Sequence, residues 1–449
     1  MDIWIVLLGS FFLLLYSAVK GYFLAYPLFT AFMVLFIVLM RRGFRASNLV
    51  QKAFRSSQKA FSVIVILLLI GIVIAVWLAA GTVPALVYYG IQWIQPHYFV
   101  LSAFVLTSLV SFVLGTSFGT VGTIGIALMI MARSSDMNPA LVAGAIIAGA
   151  YVGDRCSPMS SSANLIASLT RTDLYCNLRT MLWTGWLPLL LTCLIYGLLS
   201  WWNPAELTDS RLAITIDETF HIQPLLLLPA LVVVLLSILR IEVQWSMILS
   251  ALVGGAIALS IQQVPFLALL KFSLLGFHLP ETSTLATIIG GGGFLAMTKV
   301  CLIVVISTAL VGLLAELHLL RRIETWLASL RSRSHVFLGT TLLGTVAAAF
   351  GCTQTIAILL TQQLVERKYE EKPLNRDKLA IDLENTVVVI SPLIPWNIAG
   401  LVPATILMSD ARFIPYAVYL YLLPLISWLQ FRLIELFQTH YATNASGKR

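Results

Sequence analysis

Tyr151-Val152-Gly153-Asp154-Arg155-Cys156-Ser157-Pro158 puts an acid, a base, a hydroxyl, a proline and a glycine inside an otherwise mostly apolar stretch. A charge at membrane depth costs kilocalories, so it faces protein or water and has a task. Ser-Pro beside a glycine interrupts a helix and frees carbonyls and amides to face a ligand. A broken, polar, carboxylate-bearing segment of this kind reads as an ion site. Sodium is a hard cation that asks for oxygen ligands: carboxylates, hydroxyls, side-chain amides and freed carbonyls. Protons and sodium compete for one carboxylate in a low-dielectric site. If only the loaded, neutralised site can cross, that competition gives obligatory exchange.

Asp154 is the first choice for that carboxylate and Glu384 the second, and both are the expected metal ligands. Thr116, Ser117, Thr120, Ser157, Asn164, Thr353, Thr355, Asn385, Ser391 and Asn397 are candidate ligands or supporting donors. The plain alternative for each Ser, Thr or Asn is tight helix packing or an interhelical hydrogen bond. For Arg155 the alternatives are an ion pair with Asp154 and a charge that takes the place of a cation.

The solvent these residues must be held in follows from composition. Hydrophobic residues make up 59% of the 449 and charged ones 11%, against about 25% charged in soluble domains. Apolar runs of spanning length recur along the chain, so an all-α polytopic membrane protein is expected. The formal charge of +8 belongs to loops facing anionic lipid, and nucleic acid is not an expected partner. Met1-Asp2-Ile3-Trp4 lacks a basic leader, so the first helix is expected to stay. The five cysteines have neither metal-site spacing nor a disulfide pattern. Cys156 and Cys352 read as small packing residues.

Taken in order, residues 1–60 read as a helix pair followed by a basic loop carrying Arg41, Arg42, Arg45, Lys52, Arg55 and Lys59. The positive-inside rule puts that loop, and the N-terminus, in the cytoplasm. Residues 61–200 form a first transport repeat, 201–295 connecting helices, 296–437 a second repeat and 438–449 a polar tail. Within the repeats, 98–132 and 336–364 read as over-long spans broken at Gly115 to Thr123 and at Gly351 to Thr355. Residues 138–169 and 379–408 read as re-entrant hairpins whose arms are too short to span. Ten spans and two hairpins put both termini inside a multi-pass cell-membrane protein. That scheme places the basic loop 365–378 outside, against the rule. Glu316 beside Arg321 and Lys299 in an apolar span read as structural, and Trp201 and Trp202 as an interfacial belt.

Gly115-Thr116-Ser117, Ser157-Pro158 and Asn164 recur as Gly351-Cys352-Thr353, Ser391-Pro392 and Asn397. An acid precedes each Ser-Pro, Asp154 in one half and Glu384 in the other. By the topology above the equivalent spans run in opposite directions. Inverted repeats with a polar break in each half are a transporter signature, with the site where the breaks meet.

On Gly115 to Gly125, Ala143 to Asn164 (with Gly-Asp-Arg-Cys-Ser-Pro) and Leu383 to Asn397, the sequence resembles the NhaC family of sodium/proton antiporters. The resemblance covers roughly residues 61 to 437. It implies a secondary carrier built from inverted repeats with re-entrant hairpins, moving sodium and protons as cargo with no resident cofactor. Two acids of the family pattern are absent, since Ser161 and Asn385 stand where many members carry Asp. The loss bears on ion number and stoichiometry, and some relatives of this wider group move lactate, malate or amino acids.

Two functions therefore compete: sodium-for-proton exchange, and a sodium- or proton-coupled carrier of a small organic solute. Broken repeats around an acid argue against a channel. An enzyme is not expected, because the chain has no nucleotide loop, His-rich metal site or Ser/His pair at membrane depth. A homodimer is left open.

Overall fold

The computed structural model describes residues 2–58, 60–135, 137–205, 210–280, 285–286, 289–314, 327, 329–371 and 374–446. Lys59, Glu316 and Arg321, all named above, lie outside the described residues. Nearly all that is described is helix, as uniformly apolar segments in lipid must be to satisfy their backbone groups. The exception is a two-residue antiparallel ladder, Phe277–His278 against Gly290–Gly291. It lies in the stretch 262–295, expected to be irregular, which also holds the helix Phe266–Leu275. By length and composition seven helices can cross a membrane, or ten when each of three bent pairs counts as one span. Large apolar side chains such as Trp183, Leu190, Leu194 and Leu198 are exposed along the helix Leu174–Trp202. In a bilayer that surface is solvated by lipid tails.

Two helix pairs break where the sequence signals said they would. Phe99–Leu114 ends at Gly115, which is left-handed with φ of 66°, and a new helix starts at Ser117 behind the cap Thr116. A Cβ on Gly115 would also lie 2.5 Å from that of Met159, so the position needs glycine for conformation and for space. Arg333–Gly351 ends at Cys352, also left-handed with φ of 54°, and Gln354–Tyr369 starts behind the cap Thr353. Here a side chain is carried in a conformation that usually falls to glycine.

Hydrogen bonds between segments far apart in sequence mark two ends of the bundle. At one end of the bundle the Ala205 amide donates to the Pro96 carbonyl, Tyr196 donates to the Tyr416 carbonyl and Arg133 donates to the Leu407 carbonyl. At the other end Arg333 pairs with Asp382, Ser334 donates to Glu435 and Arg240 donates to Tyr175. The helix Val418–Ser446 joins the two ends, since its start meets the Tyr196 hydroxyl and its Glu435 meets Ser334. Seventeen residues of helix make about 25 Å. The pair 99–134 leaves and returns at the first end. The pair 333–369 leaves and returns at the second, where Tyr369 hydrogen-bonds Thr340 at 3.0 Å and Asp382 at 2.5 Å.

Residues 139–170 and 376–406 instead run from one end to the other, in opposite directions. Helix Pro139–Cys156 continues through Asp154 and Arg155, stops at Ser157 and resumes as Ser161–Thr170. The corresponding pair, Arg376–Leu393 and Ile398–Ile406, is bent by 53°. The broad loop expected at 365–378 shrinks, because helix runs to Tyr369 and restarts at Arg376. The last helix runs through 437/438 without a break, as far as Ser446.

Pro139–Cys156 and Phe99–Leu114 approach so closely that a Cβ on Gly153 would lie 2.0 Å from the Ser111 carbonyl carbon. Gly149 and Gly153, four apart, are the small residues that let two membrane helices touch backbone to backbone.

Candidate functional site

The breaks meet at Asp154. Its carboxylate is buried, with 4% of the residue exposed, and accepts a 3.0 Å hydrogen bond from the Gln354 side-chain amide. The backbone of Ser117 hydrogen-bonds it as well. Gln354 and Ser117 are each the first residue of the helix that follows a break. The first residues after both breaks thus reach one carboxylate, Ser117 through its backbone and Gln354 through its side-chain amide. Gln354 also donates to the Val388 carbonyl at 3.2 Å, tying the start of its helix to the second crossing segment.

The chain behind Asp154 is knitted from its own tip. Ser160 donates to the Asp154 carbonyl, and Ser162 does so at 2.8 Å, occupying an acceptor that the end of the helix frees. In the other half Trp396 and Asn397 donate to the Ala349 and Ala348 carbonyls at 2.6 and 2.8 Å. Both carbonyls lie in the last turn of Arg333–Gly351, and that of Ala348 also accepts from the Cys352 amide.

Glu384 lies in a π-helical turn, Glu384–Val388, of the second crossing segment. It is 1% exposed, and neither carboxylate oxygen has a hydrogen-bond partner among the described residues. It is within electrostatic reach of Asp154 and Arg155. Arg155 is wholly buried and makes no ion pair with an acid among the described residues, so the expected pair with Asp154 does not form. Its guanidinium donates to Asn385 Oδ1 at 2.6 and 3.0 Å, to the Met181 carbonyl at 2.9 Å and to Thr184, Tyr419 and Cys156 Sγ. Asp154 and Arg155 are neighbours on one helix, and rotation by about 100° per residue sends them to opposite partners.

The other expected residues divide into two groups. Ser117, Thr120, Ser157, Asn385, Ser391 and Asn397 are buried. Thr120 donates to the Thr116 carbonyl, Ser391 to the Val387 carbonyl and Asn397 to Ala348, so these bonds are spent on backbone. The Ser157 hydroxyl accepts from the Met159 amide. Thr116 and Thr353 cap helices with their hydroxyls. Asn164 and Thr355 are exposed, and Asn164 bonds only the carbonyls of its own loop, Pro158 and Ser160. Among the described residues no three His, Cys, Asp or Glu side chains converge.

Three participants were not selected from sequence. Gln354 was visible as a polar residue inside the second break and could have been named. Tyr151 stands one turn before Asp154 and donates to the Ala399 carbonyl at 2.7 Å, tying the two crossing segments together. Asp382 is fully buried in a bidentate pair with Arg333 at 2.5 and 2.6 Å. It sits two residues from Glu384, and only the fold separates the acid that is paired from the acid that is not.

An all-helical membrane bundle whose breaks meet at buried acids is the architecture of an ion-coupled transporter. The sequence matches the model of the Na+/H+ antiporter family over residues 3–201 and 149–430. It is 30% identical over 375 residues to the Na(+)/H(+) antiporter NhaC of Alkalihalophilus pseudofirmus, covering 82% of this chain and 80% of that one. It is 28% identical over 423 residues to the Malate-2H(+)/Na(+)-lactate antiporter of Bacillus subtilis, covering 92% and 90%. A shorter match, 37% over 118 residues or 26% of this chain and 24% of the relative, is to the Arginine/ornithine antiporter ArcD of Halobacterium salinarum. The chain belongs to the Na+/H+ antiporter family, which makes it a transporter rather than an enzyme.

Proposed function

We propose that this protein exchanges sodium ions for protons across the cell membrane by alternating access, with Asp154 and Glu384 as the residues that carry them. The observation that carries this is the Glu384 carboxylate, buried within electrostatic reach of Asp154 and without a hydrogen-bond partner among the described residues. Burying an ionised carboxylate without a partner is costly, so the group needs a proton or a cation. Asp154, held by the Gln354 amide and the Ser117 backbone, is the seat prepared for negative charge and hence for sodium. The family assignment and the NhaC relative support the same cargo.

The topology that goes with this reading has two inverted repeats, within residues 61–200 and 296–437. Their re-entrant hairpins are 99–134 and 333–369, and their broken spans are 139–170 and 376–406. This reading has ten spans and two hairpins, with the roles of these segments exchanged. The loop after Tyr369 then lies at the same end as Arg333, Arg240 and Arg376, which removes the conflict with the positive-inside rule. Both termini lie at that cytoplasmic end. Thiol labelling of single-cysteine variants checks the arrangement: Glu370→Cys reacts from the cytoplasm and Asn138→Cys from outside. Labelling of both from one face would refute it.

A second reading, a coupled carrier of a small organic carboxylate, is favoured by the extent of the match to the malate–lactate relative and by the neutral Ser161 and Asn385. Purified protein in proteoliposomes separates the two. A sodium gradient should shift internal pH with no organic solute present, and strict dependence on an added carboxylate or amino acid would replace the first reading with the second.

A further inference from the structure

We propose that Arg155 is a resident cation that cancels one of the two carboxylate charges of the site, so that one sodium ion exchanges for one proton with no net charge moved. The inference rests on the exchange reading above and fixes its stoichiometry.

A guanidinium stays charged in proteins, and a buried one ordinarily faces an acid. Arg155 has no exposed surface, yet the acceptors that hold it are all neutral: an amide oxygen, a carbonyl, two hydroxyls and a thiol. Asn385 receives two of its hydrogen bonds, from Nε and Nη2, through a single oxygen. That is the seat where an aspartate would form a bidentate ion pair. Because Asn385 leaves the charge uncompensated, the field of Arg155 falls on the nearest unpaired acid, Glu384. Gly185 leaves room for the group, since a Cβ there would lie 2.7 Å from Nη1.

The charge count then closes. Two carboxylates and one guanidinium sum to one negative charge, which either one sodium ion or one proton neutralises. Neither the loaded nor the protonated centre carries net charge across the bilayer. Removing the guanidinium, or neutralising it with a new acid at 385, leaves two uncompensated carboxylates. Two protons would then return for each sodium, and the cycle would move charge.

The test is exchange in proteoliposomes under a potassium–valinomycin potential of either sign, read as sodium-driven pH change and as sodium-22 flux. The parent protein should exchange at the same rate at both polarities. Asn385→Asp, which keeps Arg155 and offers it a better partner, should exchange at rates differing several-fold between polarities, and Arg155→Gln should do the same where it folds. A purely structural role for Arg155 would alter rate or yield but not voltage dependence. Parent exchange driven by potential, or an Asn385→Asp protein as indifferent to it as the parent, overturns this inference alone. Absence of any sodium-driven pH change overturns the exchange reading and this inference together.

Discussion

Asp154 and Glu384 are carboxylates on two crossing segments that run in opposite directions, both buried, and the fold treats them differently. Asp154 receives an amide donor from Gln354 and a backbone hydrogen bond at Ser117, each supplied by a helix that begins at a break. Glu384 receives no hydrogen bond among the described residues. The likeness of the two polar breaks therefore does not extend to electrostatics. One acid is prepared by hydrogen bonds to hold charge, and the other has only the field of the neighbouring Arg155. A site that must bind and release two kinds of cation uses both conditions, since binding favourable enough to enter has also to be weak enough to leave.

The largest effect should come from the prepared acid. Asp154→Asn removes the charge that Gln354 and the Ser117 backbone hold, so sodium-dependent pH change in proteoliposomes should fall to background while the purified protein elutes as the parent does. A variant that still exchanged at the parent rate would assign the ion seat elsewhere. Glu384→Gln comes next, and it separates function from stability. Exchange should drop at least tenfold, yet the melting temperature should change little, because the carboxylate makes no hydrogen bond among the described residues for the amide to lose. A marked fall in Tm would mean that Glu384 has a structural partner after all.

Gln354→Ala tests the donor rather than the acids. Hydrogen bonds to charged groups contribute about 1.5–3 kcal/mol, so apparent sodium affinity should weaken by roughly tenfold or more while the maximal rate changes less. Sodium titration of the initial rate decides it. An unchanged half-saturating concentration would show that the amide serves only its second acceptor, the Val388 carbonyl.

Much of this arrangement was legible in the residues. Hydrophobic runs fixed the class, Gly115 and Gly351-Cys352 marked the breaks, and the acids before each Ser-Pro marked the centre. What periodicity does not carry is which helix returns and which continues, because an arm of 16 residues reads the same in a hairpin as in a span. That information lies in contacts far apart in sequence, such as Tyr369 with Thr340 and Asp382. Likewise, Asp382 and Glu384 are two positions apart, and no local rule says that Arg333 reaches one of them and leaves the other.

The smallest effect distinguishes the two neutral replacements, which the sequence alone treats as alike. Asn385 is buried against Arg155, whereas Ser161 is exposed, as the first residue of the helix Ser161–Thr170. An acid added at 161 would be solvated and would meet the N-terminal end of that helix, an interaction of about 0.3–1 kcal/mol. Ser161→Asp should therefore leave the charge moved per cycle unchanged and shift apparent sodium affinity by no more than about threefold, a range that allows some further pull on the ion. Asn385→Asp, by contrast, changes the partner of the buried guanidinium and with it the stoichiometry. Measuring voltage dependence and sodium titration for both variants in one preparation sets them against each other. If Ser161→Asp proved as voltage-sensitive as Asn385→Asp, charge anywhere near the tips would govern the cycle, and the special place given to Arg155 would be lost.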